Sequence, residues 1–579
     1  MPDFPNPVDV VIFLLLLLLL VAPLHAGVKV ELTPTDQDLE KNLLAHLSFK
    51  DEACDAPRWR LRRLVKGADE DIGAALRAFG YYRPGIEKEL TFDENCWQAV
   101  LRVDAGPRVT VRERDIRIGG ELADDEGFTG LLESLPLSPG SPLNHAQYES
   151  IKTRLRNFAA ERGYLDFRID TQQLRVNPSL LVADIIIHGK SGPRYRIGDY
   201  EFSTEPLDDA FLQRLADIKP GEPFDARKLI EINRNLNDSG YFSRVQVTPR
   251  RRDAKDGVVP LDIDMQMAPR HKWKAGVGYS TDFGPRLTLG YENRYLNEFG
   301  RKFASEIRLS PVDSGLTADY IIPGEDPHRS ETIYGLRILN ENTVSANTKS
   351  VALAGRWVKE TGDWTRTLFV ELSHERSEIA GEENEATLLM PGIALNHTEA
   401  DNLVRVNRGH RLNLEARVAH EALLSSESLV QVRARAKLIH RLDNWGRVSV
   451  RGDAGFTFAE ELDNLPTSLR FFAGGDNSVR GYEYESLGPT DKNGDVTGGR
   501  HLLTLSGEYE YPVAGEDWWA AGFIDAGNAF ETQDIQLKVG YGLGVRWYSP
   551  VGRVRLDLAF PREDPRDDWR IHFGLGTDL

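Results

Sequence analysis

LVQVRARAKL, from Leu429 to Leu438, alternates without a break. In an extended chain successive side chains point to opposite sides. Val430, Val432, Ala434, Ala436 and Leu438 therefore share one face, and Gln431, Arg433, Arg435 and Lys437 share the other. The same two-residue period runs through KWKAGVGYS, where Trp273, Ala275, Val277 and Tyr279 oppose Lys272 and Lys274. It returns in HLLTLSGEYEYP from His501, in RVRLDLAFP from Arg553 and in the terminal WRIHFGLGTDL from Trp569. From His271 onward no helical stripe is sustained. A soluble sandwich of this length, without a core helix, would carry a charged face as extensive as its apolar one. A closed barrel satisfies both faces, with lipid outside and a watery lumen inside. At roughly 19 residues per strand and connection, residues 269–579 accommodate about 16 antiparallel strands.

The chain carries 71 Lys and Arg against 89 Asp and Glu, a formal charge of −18 over 579 residues. Such a surface does not suit a protein that grips nucleic acid by its phosphates. A mean hydropathy of −0.40 argues against a bundle of membrane-spanning helices, and leaves a barrel untouched, because alternation averages to hydrophilic.

Upstream of the barrel the period changes to that of helices. Three segments end a helical pattern on Gly-Tyr and then become extended: AALRAFGYYRP around Gly80, LRNFAAERGYLDF around Gly163 and INRNLNDSGYFSRV around Gly240. Each unit closes on a matching turn, at Gly106-Pro107-Arg108, Gly192-Pro193-Arg194 and Ala268-Pro269-Arg270. The repeat predicts three α+β units over 27–105, 106–190 and 191–268, each ordered strand, helix, helix, strand, strand. In the second unit Asn144 is placed to cap a helix whose Tyr148, Ile151, Leu155, Phe158 and Ala159 share a face, and Gly163 supplies its left-handed stop. Leu229, Ile232 and Leu236 repeat the stripe in the third. Open sheet edges in such units can bind another polypeptide by strand addition.

At the N-terminus VVIFLLLLLLLVA, Val10 to Ala22, spans 13 residues, short of the roughly 20 that a membrane-spanning helix needs. Residues 1–26 read as a secretory signal peptide cut near Ala26, with a retained anchor as the alternative. In an oxidising compartment Cys54 and Cys96 are a possible disulfide; two unpaired thiols are the other reading. Neither has a metal-ligand neighbour at the spacing a zinc site needs.

No enzyme site emerges. G-x-S-x-G is absent, and the pairs His374-Glu375 and His420-Glu421 lack a His four positions after the first, so neither is a zinc-protease helix. DKNGD at Asp491, Asn493 and Asp495 imitates a calcium loop, but Val496 stands where Gly is required and Leu502 where the bidentate Glu belongs. That segment reads as a loop tip, and no metal, cofactor or nucleotide is expected.

LRFFAGGDNSVRGYEYESLGP from Leu469, GFIDAGNAF from Gly522 and GYGLGVRWYSPVGRVRLDLAFP from Gly540 follow one another in that order. With them the chain resembles the outer-membrane assembly factors that join periplasmic POTRA domains to a membrane barrel, relatives of BamA, and most closely their TamA-type branch. The resemblance implies a sixth extracellular loop folded into the lumen, its tip formed by Val479, Arg480, Gly481 and Tyr482. Parity places Phe523, Asp525 and Gly527 on one face of their strand. A carboxylate facing lipid is costly, so that face is expected to be luminal. Arg480 is then expected to pair with Asp525 near Phe523; a solvated Arg480 and a solvated Asp525 are the plain alternative. The resemblance also implies a weak seam between the first and last strands, about Lys272 to Thr281 (with Trp273, Ala275 and Val277) and Trp569 to Asp578 (with Ile571, Phe573, Gly574 and Gly576). The two glycines either weaken the last strand or relieve crowding in the lumen. Implied partners are unfolded outer-membrane and autotransporter clients, outer-membrane lipid, and a TamB-like inner-membrane-anchored protein docking on the first POTRA unit. A dedicated secretion pore for one exported protein is the rival reading; such pores usually carry two POTRA units.

Overall fold

A computed structural model describes residues 27–576 apart from 94–95, 204–205, 403–404, 532–534, 550–551 and 563–568. The leader-like segment 1–26 and the end at Leu579 lie outside the described residues. The chain divides into two compact units: residues 1–199 with 220–230 and 249–261, and residues 200–219 and 231–248 with 262–579.

Three small α+β sheets come first. Strand β1 (Gly27–Thr33), helices α1 (Gln37–His46) and α2 (Arg58–Ala78), and strands β2 (Gly85–Phe92) and β3 (Trp97–Asp104) build a sheet of order β1-β3-β2. β1 runs parallel to β3, and β2 antiparallel to it. Trp97, Ala99, Leu101 and Val103 of β3 are buried in one core with Leu61, Val65, Ala68 and Ile72 of α2. Each such large side chain contributes about 1.5–3 kcal/mol when fully buried. Cys54 and Cys96 are joined by a disulfide across 42 positions, beside Trp97, whose Nε1 donates to the Ala53 carbonyl at 3.1 Å. Closing that loop restricts the unfolded chain by about 4 kcal/mol. Replacing both cysteines by Ser should therefore lower the urea concentration at which pulse proteolysis cuts this unit in the full chain. An unchanged cleavage midpoint would contradict that.

The second sheet comprises β4 (Thr110–Gly119), α3 (Glu126–Ser134), α4 (His145–Glu161), β5 (Arg168–Asn177) and β6 (Val182–Lys190), in the order β4-β6-β5. Asn144 caps α4 by accepting from the Gln147 amide at 3.2 Å. Tyr148, Ile151, Leu155 and Ala159 are buried, while Phe158 is half-buried against Phe128. Gly163 ends the helix at φ 87°, where a Cβ would meet the Phe224 carbonyl oxygen at 2.7 Å. The third sheet has β7 (Arg196–Phe202), α5 (Asp209–Ala216), α6 (Ala226–Asp238), β8 (Phe242–Pro249) and β9 (Val258–Met267), ordered β7-β9-β8. Ile232 and Leu236 of α6 are fully buried. In all three sheets the last strand is central, so two edges stay open.

One 16-stranded antiparallel sheet follows. Its first eight strands are β10 (His271–Ser280), β11 (Gly284–Asn293), β12 (Lys302–Leu309), β13 (Asp313–Pro323), β14 (Ser330–Asn342), β15 (Ala346–Thr361), β16 (Trp364–Ile379) and β17 (Glu382–Ala400). The other eight are β18 (Arg408–Ala419), β19 (Leu429–Arg441), β20 (Arg447–Ala459), β21 (His501–Ala514), β22 (Trp518–Phe530), β23 (Lys538–Ser549), β24 (Gly552–Pro561) and β25 (Arg570–Gly576). The sheet curls into a nearly closed barrel. Strands in the middle are long, 16 residues in β16 and 19 in β17, whereas β10 has 10 and β25 only 7. The outer face carries the apolar residues of the alternation, with Val430, Val432 and Leu438 exposed there. Among the described residues no helix is long and apolar enough to cross a membrane, which has no bearing on strands.

Candidate functional site: a loop anchored in the barrel lumen

Between β20 and β21, residues 460–500 fold back into the barrel. Gly474, Gly475 and Gly481 turn the chain at φ 102°, 96° and 97°, a region that side chains with a Cβ rarely adopt. The tip is enclosed: Val479 is 0%, Arg480 2% and Tyr482 3% exposed. The β22 parity places Asp525, fully buried, on the lumen face and Ile524, 58% exposed, outside.

Arg480 and Asp525 meet. Nε donates to Asp525 Oδ2 at 2.7 Å and Nη2 to Oδ1 at 2.9 Å, a bidentate pair, and the Arg480 amide adds a third bond to Oδ2 at 3.1 Å. The guanidinium carbon lies 3.5 Å from the centre of the Phe523 ring. Two further carboxylates close around it: Nη1 donates to Glu508 Oε2 at 2.7 Å and to Asp557 Oδ2 at 3.1 Å. Taking a guanidinium out of water costs several kcal/mol, so it is buried only where such partners surround it. The carboxylates have partners of their own. Arg546 reaches Glu508 at 2.8 Å and also pairs with Asp557. Arg553 pairs with Glu508 and Glu510, and Arg447 with Glu510 at 2.8 Å. Four guanidinium groups and four carboxylates thus form one connected network of balanced charge.

Glycines make room for the tip. A Cβ at Gly540 would stand 1.8 Å from the Arg480 carbonyl oxygen, and one at Gly542 would meet the Leu558 carbonyl oxygen at 2.1 Å and the Phe523 ring at 2.5 Å. A Cβ at Gly527 would lie 2.7 Å from the Leu503 carbonyl oxygen. Of the glycines of GYGLG, Gly540 is therefore the floor under the loop tip, while Gly542 admits the neighbouring strand and the Phe523 ring.

The seam strands begin and end close to their expected limits, at His271–Ser280 and Arg570–Gly576; Thr577 and Asp578 lie outside the described residues. Trp273 and Val277 are 76% and 84% exposed on the outer face, with Ala275 between them, and Ile571 is 50% exposed. No ladder joins β10 to β25 among the described residues. Beyond the end of β10, the Thr281 amide donates to the Phe573 carbonyl at 3.2 Å and the Phe573 amide to Thr281 Oγ1 at 3.0 Å. A Cβ at Gly574 would press on Arg555 Nε at 2.7 Å, while Gly576 has open space. Crowding therefore bears on Gly574, where the neighbour is the Arg555 side chain, and not on Gly576.

Glu508, Asp557, Arg546, Arg553, Arg447 and Glu510 were not singled out by motif. Their signal is the alternation itself, which puts Glu508 and Glu510 on the polar face of HLLTLSGEYEYP and Asp557 on that of RVRLDLAFP. In DKNGD the Asp491 carboxylate accepts the Asn493 and Asp495 amides at 2.8 and 2.9 Å, a local turn that uses the oxygen a calcium ion would need.

Residues 274–579, more than half of the chain, match the Omp85 superfamily domain. The chain belongs to the Omp85 superfamily. Residues 29–105 match POTRA domain TamA domain 1, and 111–188 and 195–266 match the POTRA family described as surface antigen variable number repeat. Among curated Omp85 relatives, the outer membrane protein assembly factor BamA of Nitratidesulfovibrio vulgaris is 23% identical over 526 residues, covering 84% of this chain and 64% of its own length. BamA of Neisseria meningitidis serogroup B is 21% identical, covering 76% of this chain and 64% of its own length. The chain thus spans less than two thirds of these relatives. The crystal structure of Haemophilus ducreyi BamA lacking POTRA domains 1–3 superposes with a TM-score of 0.69 at 15% identity, over 81% of this chain and 99% of that one. At that identity it shows the shared Omp85 fold.

Proposed function

We propose that this protein is an outer-membrane assembly factor of a Gram-negative bacterium. It receives unfolded barrel and autotransporter clients in the periplasm through its three POTRA units and promotes their insertion and translocation without catalysis. Its partner is a TamB-like protein anchored in the inner membrane, which docks on the first POTRA unit, where the edges of β1 and β2 are free to accept an added strand. The observation that carries the reading is the seam. Among the described residues, other neighbouring strands share ladders of backbone hydrogen bonds, whereas β10 and β25 share none and meet at Thr281 and Phe573. An unpaired strand edge is a template for an incoming strand. The match of residues 29–105 to the TamA-type POTRA domain favours the TamB-like partner.

The test is the outer-membrane proteome of a deletion strain. Selective depletion of autotransporters and barrel proteins, restored by the wild-type gene, supports the proposal. Loss of a single secreted protein would replace it with a dedicated secretion pore.

A further inference from the structure

The lumen loop touches both sides of the seam. Asp476, four residues before Arg480 and 2% exposed, accepts from Thr281 Oγ1, next to the end of β10, at 2.9 Å. On β25 the same carboxylate oxygen lies 2.6 Å from His572 Nδ1. His572, 4% exposed, also accepts the Gly481 amide on Nε2 at 2.9 Å. An amide can only donate, so Nε2 bears no hydrogen and the imidazole hydrogen sits on Nδ1, directed at Asp476. The Thr281 hydroxyl has one hydrogen. Its distance to Asp476 is shorter than the 3.4 Å to the Phe573 carbonyl, so the hydrogen goes to the carboxylate, and the hydroxyl oxygen takes the Phe573 amide. The bonds form a closed circuit: Phe573 amide to Thr281 hydroxyl, hydroxyl to Asp476, His572 to Asp476, Gly481 amide to His572. Its first three bonds start and end on the last strand, at Phe573 and His572, and cross the first-strand end and the loop; the fourth ties the loop tip to His572. Further loop contacts reach the same two places: Tyr484 packs on Phe283 at 5.1 Å, and Glu483 accepts from Arg570 at 3.2 Å.

We propose that Asp476 is the pin of a latch that makes loop docking and seam closure a single event. Gly481 is bonded to the residue whose guanidinium lies among Asp525, Glu508 and Asp557, so withdrawing the tip draws Gly481 off His572 and Asp476 off Thr281. The seam is then left with the two bonds between Thr281 and Phe573, and the Thr281 hydroxyl is no longer fixed by Asp476. Asp476 and His572 act as positioning residues. A cavity of about 680 Å3 beside the latch, bordered by Asp476, Ser478, Gly574 and Gly576, leaves room for that movement.

Asp282, Asp476 and His572 place one ligand atom each within 4.8 Å of the others, which raises a metal site as the rival. Both nitrogens of His572 are engaged, and Asp282 Oδ2 already accepts the Asp476 amide at 2.8 Å, so no free lone pair on the histidine faces the centre. The latch needs no ion.

The meaning of the latch for assembly rests on the proposed function; its existence does not. The test installs Tyr279→Cys and Phe573→Cys, whose native rings lie 5.9 Å apart across the seam, in the full-length protein. It measures the yield with a short thiol crosslinker, using heat-modifiable migration as the check on barrel folding. Asp476→Ala and Thr281→Val should each lower the yield several-fold, Thr281→Ser should restore it, and Arg480→Ala should lower it as well. Wild-type yield in Asp476→Ala, or in Arg480→Ala with the loop released, overturns the latch. If Asp476→Ala does not fold, the Thr281→Val and Thr281→Ser contrast decides alone, and equal yields overturn the latch. Loosening of the wild-type seam by EDTA overturns it in favour of a bound cation. A seam that opens in Asp476→Ala while client assembly stays normal leaves the latch standing and removes the assembly reading.

Discussion

Arg480→Ala should destabilise the barrel more than Asp525→Ala, and the double variant should be more stable than Arg480→Ala alone. The asymmetry comes from how the charges are shared. Without the guanidinium, Glu508 keeps Arg546 and Arg553, and Asp557 keeps Arg546. Asp525 has Arg480 as its ion-pair partner among the described residues and is 0% exposed, so it is left with the Ser506 hydroxyl and the more distant charge of Arg451. Leaving one member of a buried pair uncompensated costs about 3–5 kcal/mol. Asp525→Ala leaves Arg480 with Glu508 and Asp557, and its cost is nearer the roughly 1–3 kcal/mol of lost charged hydrogen bonds. Removing both partners deletes the stranded carboxylate and recovers part of the first penalty. Urea unfolding in detergent micelles, followed by heat-modifiable migration, gives the order. A double variant weaker than Arg480→Ala would contradict the arrangement of the network.

Gly540→Ala should expel the loop tip while Gly576→Ala is nearly silent. Both are exchanges in the polar-face register of a barrel strand, and on propensity alone alanine should suit a strand better than glycine. At Gly540 the new methyl would overlap the Arg480 carbonyl oxygen at 1.8 Å, and backbone, unlike the end of a flexible side chain, cannot swing aside. Relief requires the tip to rise, which stretches the bonds to Asp525. At Gly576 nothing lies within 4 Å. Planar-bilayer conductance and limited proteolysis of residues 460–500 report whether the loop has left the lumen. Increased conductance and cleavage in Gly540→Ala, with wild-type behaviour in Gly576→Ala, is expected; a protected loop in Gly540→Ala would contradict the packing.

Much of this is legible in the amino-acid sequence itself. LVQVRARAKL announced a wall with two solvents because its period is that of a strand, and the Gly-Tyr stops at 80, 163 and 240 marked three helix ends. The pairing of Arg480 with Asp525 followed from the parity of one strand together with the resemblance that sends the loop inward. Parity reached no further. It places Glu508 and Asp557 on a polar face, but which polar residues share a level depends on the register between strands. That register pairs Ser506 with Asp525 and Gly544 with Asp557. Nothing local to GYGLG marks the close approach that requires Gly540, because the carbonyl it admits belongs to Arg480, in a loop far upstream. Asp476 and His572 are 96 positions apart, and nothing local to either marks the contact. Cysteine count and compartment made a disulfide possible, and only the approach of Cys54 to Cys96 in space decides it.

On the proposed function, clients pass by way of the seam between β10 and β25. The most direct test is to close it. With Tyr279→Cys and Phe573→Cys joined by a short crosslinker in the folded, full-length protein, reconstituted into liposomes, autotransporter assembly should fall to background, while each single-cysteine control treated alike should assemble at the wild-type rate. Wild-type assembly through the crosslinked barrel would contradict the account.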